Sequence, residues 1–68
     1  MSHIDVFKKF EELMPYFCEQ VEEWFPNGFN SIRVRLENKR EYIFTYSEEN
    51  GFRFEDIGVF IDRTLKGE

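Results

Sequence analysis

The stretch that most restricts the fold is Ser31–Tyr46, SIRVRLENKREYIFTY. Ile32, Val34 and Leu36 alternate with Arg33 and Arg35, the two-residue period of a strand with one face buried. Glu41–Tyr46 is rich in aromatic and β-branched residues and reads as a second strand. Glu37-Asn38-Lys39-Arg40 between them forms the turn. A hairpin so close in sequence is antiparallel, so a doubly wound parallel sheet is excluded.

Two registers compete. A two-residue loop at Asn38-Lys39 pairs Val34 with Ile43, and it puts Tyr42, Phe44 and Tyr46 on the face of Arg33 and Arg35. A three-residue loop at Asn38-Lys39-Arg40 pairs Val34 with Phe44 and Leu36 with Tyr42, and it puts the three rings with Ile32, Val34 and Leu36. A one-residue slip turns a whole strand over. Leaving three rings in water forfeits several kcal/mol at about 25 cal/mol per Å², which favours the second. Asn38 suits a two-residue type I′ turn, but Lys39 stands where that turn prefers glycine.

Ser47-Glu48-Glu49-Asn50-Gly51 is a further turn, and Phe52-Arg53-Phe54 alternates as a short third strand. On the N-terminal side, Ser2 and Asp5 have capping-box spacing. Phe7, Phe10, Leu13, Met14, Phe17, Val21, Trp24 and Phe25 then recur at intervals of three and four. That stripe predicts one helix over residues 4–25. Pro15 either kinks it or ends it near Met14 and opens a second helix; the unbroken phase of the stripe favours a kink. Pro26-Asn27-Gly28 stops it. Glu55 or Asp56 opens a last helix with Ile57, Phe60, Ile61 and Leu65 inward. The expected fold is a single α+β domain over residues 1–68: a long Pro15-kinked helix, a two- or three-stranded antiparallel meander and a short C-terminal helix.

A chain of 68 residues is near the lower limit for an unassisted core. The single Cys18 forms no internal disulfide, no Cys/His cluster offers a metal site, and no cofactor motif is present. Aromatic residues make up 19% of the chain, enough to build a small core and to leave rings over for a partner or a homodimer. The net charge of −5 argues against direct binding to nucleic-acid duplexes and to anionic membranes. No apolar run reaches the length of a spanning helix. The N-terminal residues do not read as a signal peptide, and the expected compartment is the cytoplasm with Cys18 reduced.

Three surfaces are candidates. Glu12, Glu19 and Glu23, with Asp5 and with Tyr16 among them, line the polar side of the expected long helix; such a strip could imitate a phosphate backbone, or simply be a solvated face. Arg33 and Arg35 form a stacking platform if the rings of the second strand lie beside them. Trp24, Phe25 and Phe29 crowd a helix end and loop, and they cannot all point inward. Catalysis has little basis. His3 is alone at the terminus, Cys18 follows the apolar stripe, and the adjacent acids Glu48-Glu49 and Glu55-Asp56 do not by themselves make an acid/base pair.

The expected function is therefore a small, acidic, non-enzymatic protein-interaction or self-associating module. The alternatives are an acidic nucleic-acid mimic that inhibits a nucleic-acid-handling protein, such as a restriction or CRISPR effector, and a single-stranded nucleic-acid binder using the Arg face. In length and composition the chain is similar to small accessory proteins carried by phages and integrating elements, a similarity that rests on no motif.

Overall fold

The computed structural model describes residues 2–58. Helix α1 (His3–Leu13) and the single turn α2 (Pro15–Cys18) are followed by β1 (Val21–Pro26), β2 (Ser31–Leu36), β3 (Glu41–Ser47) and β4 (Gly51–Asp56). The four strands form one antiparallel sheet in the order β1-β2-β3-β4. The α+β class, with a helix leading into an antiparallel meander, is as expected. Ile57 and Gly58 are helical, and the Asp56 carboxylate accepts from the Gly58 amide at 2.8 Å. The rest of the expected C-terminal helix lies outside the described residues.

The long kinked helix does not form. A capping box starts α1: Ser2 Oγ accepts from the Asp5 amide at 3.2 Å, and Asp5 Oδ2 accepts from the Ser2 amide. The helix ends at Met14, whose φ of −134° and ψ of 59° are not helical. A residue that precedes proline is driven from the helical region by the proline ring, and Pro15 restarts the chain at the first position of α2. The expectation of a helix to residue 25 came from treating Val21 and Trp24, three apart, as one helical face. They do share a face, but on a strand. A bulge between Val21 and Glu23 inserts one residue, which turns the strand period of two into three. The sheet thus gains a strand at its start, and Phe52-Arg53-Phe54 belongs to a full fourth strand.

In the central hairpin, Val34 lies opposite Tyr42 and Ile32 opposite Phe44. The loop is Glu37-Asn38-Lys39, closed by the Leu36 amide donating to the Arg40 carbonyl at 2.8 Å. Arg40 is neither in the loop nor opposite Glu37. The pairing is two residues away from the expected three-residue register, and a shift of two leaves every side chain on its face. Tyr42, Phe44 and Tyr46 accordingly share the helix-covered face with Ile32, Val34 and Leu36. Lys39 has a φ of 73°, the left-handed residue that completes a type I turn in this loop class.

Val6, Phe10, Ile32, Val34 and Phe44 form the fully buried core. Val6, absent from the expected stripe, is buried, whereas Leu13 is exposed. The Phe10 ring lies 5.2 Å from Phe44 and 5.8 Å from Phe54, and Phe7 stacks on Trp24 at 4.9 Å.

Truncating Phe10→Ala is expected to cost about 3–5 kcal/mol, most of the stability of so small a domain, measured by urea unfolding. Lys39→Gly is expected to be more stable than Lys39→Ala by about 1 kcal/mol. Both lose the lysine's contacts, and only glycine relieves the backbone.

Candidate interaction surface

The acidic strip depends on one continuous helix, so its members separate. Glu12 is on α1, 3.6 Å from Lys9 Nζ. Glu19 caps α2. Glu22 and Glu23 are on β1, where the Arg35 guanidinium reaches both and Lys39 Nζ lies 3.1 Å from Glu22. The Lys39 ammonium, and after it the Arg35 guanidinium, holds the Glu22 carboxyl below its ordinary range. The acidic side chains are thus neutralised at the β1 end. Tyr16 is on α2, 74% exposed, its ring edge-on to Phe17.

Arg33 and Arg35 lie on the sheet face away from the helices, because Tyr42, Phe44 and Tyr46 took the other. The alternative stacking platform, which required the rings to lie beside the arginines, does not form. Arg33 Nε sits 2.6 Å from Glu41 Oε1, in an ion pair not aligned as a hydrogen bond, and its guanidinium lies 6.0 Å from the Phe25 ring centroid. Across the strands, Ile43 is flanked by Arg33 and Glu55 and is buried. The two arginines tie β1, β2 and β3 together on this face. Trp24, on the helix-covered face, is half-buried under Phe7.

Phe29 is different. It is 86% exposed, the most exposed of the large apolar side chains among the described residues. It sits in the β1–β2 loop, and a meander brings that loop to the same end of the sheet as the β3–β4 loop. The loop is held from several sides. The Asn27 amide donates to the Ser31 carbonyl at 2.9 Å, and the Tyr46 amide donates to the Asn30 carbonyl at 3.0 Å. Asn27 Nδ2 donates to Ser31 Oγ, which is hydrogen-bonded to Thr45 Oγ1. His3 Nε2 donates to the Gly28 carbonyl at 2.7 Å, which fixes the start of α1 to the loop. Gly28 and Asn30 both have positive φ, the two bends that turn Phe29 outward. An open notch of about 350 Å³ lies between the loops, lined by Phe29, Asn30, Ser47, Glu48 and Glu49. Such an opening suits contact with a macromolecule better than enclosure of a small ligand.

Phe29 was legible in the sequence as a surplus ring. Glu48 and Glu49 were legible only as turn residues. Their place beside Phe29 follows from the first strand, which the helical reading of residues 21–25 concealed. Among the described residues no three His, Cys, Asp or Glu side chains are grouped to hold a metal, and no helix is long and apolar enough to cross a membrane.

Cys18 is partly buried, and burial first, then the carboxylates of Glu11 and Glu19, push its thiol pKa up. The thiolate, which is the reactive form, is therefore scarce. Alkylation by iodoacetamide at pH 8 is expected to be slower in the folded chain than in urea. It should speed up in Glu11→Gln/Glu19→Gln without reaching the unfolded rate, because burial remains. Comparison with known protein families, with curated proteins and with solved structures finds no match.

Proposed function

We propose that this chain is a non-enzymatic protein-interaction module that docks onto a protein partner through Phe29, with Glu48 and Glu49 beside it. The exposure of Phe29 on a tethered loop carries this reading. Burying a ring of that size is worth about 1.5–3 kcal/mol, which an isolated chain leaves unused. A loop already fixed by hydrogen bonds loses little freedom on binding, so more of that gain becomes affinity. The two carboxylates favour a partner that is basic around its apolar contact and disfavour nucleic acid. A lone cysteine kept as a thiol supports a cytoplasmic setting.

The test is a photo-reactive benzoylphenylalanine placed at Phe29 and, as a comparison, at Tyr16, in lysate of cells that naturally express the chain. A discrete crosslinked product is expected from position 29. Excess wild-type chain should suppress it, and excess Phe29→Ala should not. The reading is wrong if position 29 gives no product, or if Phe29→Ala competes as well as wild type. Phe29→Ala itself is expected to change folding stability by less than about 0.5 kcal/mol.

A further inference from the structure

The two edges of the sheet differ. An exposed edge strand offers unpaired backbone donors and acceptors to any passing strand, and proteins guard such edges with proline, bulges and charge. The β1 edge has all three: Pro26 lacks an N–H, the bulge at Glu22 interrupts the ladder, and Glu22 and Glu23 sit on the strand. The β4 edge has neither proline nor bulge. Its pairing with β3 is unbroken from Tyr42–Asp56 to Ser47–Gly51, and among the described residues no strand lies on its outer side.

We infer that β4 pairs with β4 of a second copy, antiparallel about a two-fold axis at Phe54, so that Arg53 of each chain faces Glu55 of the other. The inference rests on the reading of the chain as a protein-binding module but not on Phe29. The sequence of β4 selects the register. In a two-fold pair that continues the sheet, residues facing each other share a face, so the axis passes through a residue. An axis at Arg53 sets arginine against arginine, and an axis at Glu55 sets glutamate against glutamate; like charges directly opposite are unfavourable. An axis at Phe54 gives two Arg53–Glu55 pairs, one on each side, and places Phe54 opposite Phe54 on the helix-covered face. Glu55 already has an interaction within its own chain, and a carboxylate has lone pairs for a further donor. Phe52, 47% exposed, faces Asp56 of the second copy.

The arrangement closes on itself. An isologous pair uses the same edge twice, and the guarded β1 edges at the far ends of the resulting eight-stranded sheet do not propagate it. The ladder spans only Phe52–Asp56, so the dimer is expected to form and dissociate with concentration, unlike the large permanent interfaces of obligate dimers.

Sedimentation velocity of the full chain over a rising concentration series tests this. The mass should climb from 8.4 kDa toward twice that value. Arg53→Glu should weaken the dimer about tenfold or more, and Arg53→Glu/Glu55→Arg should restore it, with circular dichroism confirming that each variant is folded. In a Cys18→Ser background, a mixture of Arg53→Cys and Glu55→Cys chains should form an interchain disulfide faster than either chain alone. The inference is overturned if the wild type stays monomeric throughout. It is equally overturned if Arg53→Glu dimerises unchanged, if the charge swap fails to restore the dimer, or if the mixed disulfide is not favoured. None of these outcomes alters the Phe29 crosslink, so the two readings fail separately.

Discussion

The structure depends on one contact, the Phe10 ring of α1 seated between Phe44 of β3 and Phe54 of β4. A helix of eleven residues is marginal alone in water, and a sheet without a covered face exposes its apolar rows. Each therefore needs the other, and Phe10, fully buried, is where they meet. Phe7 on Trp24 and Phe17 against Tyr42 and Phe54 extend the seam toward the two edges of the sheet. With a single cysteine and no grouped metal ligands among the described residues, aromatic area does the work of a staple.

That demand explains the surface. Once Tyr42, Phe44 and Tyr46 are committed to the core, they cannot serve as a stacking platform, and the arginines across from them pair with Glu22, Glu23 and Glu41. Exposed ion pairs of this kind contribute little each, but they occupy the charges. The rings left over are those that the core cannot reach. Phe29 is held outward by a loop tethered through hydrogen bonds to Ser31, Tyr46 and His3, and Tyr16 projects from a single helical turn. Among the described residues the two most exposed rings, Phe29 and Tyr16, thus lie at one loop end and one short turn rather than on the sheet itself.

The sequence was misleading where a local irregularity imitated a different period. Val21 and Trp24 are three apart, and so are many helical pairs; an inserted bulge residue gives a strand the same spacing. Pro15 had two physical outcomes, and the phase of the apolar stripe favoured the wrong one, since the stripe beyond it belonged to a strand. The missing strand then hid the neighbourhood of Phe29. Two turns of a meander come together only if the number of strands between them is known, so Glu48 and Glu49 carried no signal as neighbours of that ring.

What the sequence determined by itself is the side-chain parity of the central hairpin, the capping box at Ser2 and the antiparallel class. These are local: alternation, a three-residue spacing and a short turn fix them, and burial of three rings decides between the two faces. The loop composition did not fix the register within that parity, because shifts of two residues keep every ring buried and differ only in turn geometry. Only the tertiary structure decided the end of α1 at Met14, the bulged first strand and the company of Phe29. The last two depend on which distant segment is available to pair, and the choice between the two local outcomes at Pro15 follows once residues 21–26 belong to a strand; pairing across the sheet is not written in any one stretch of chain.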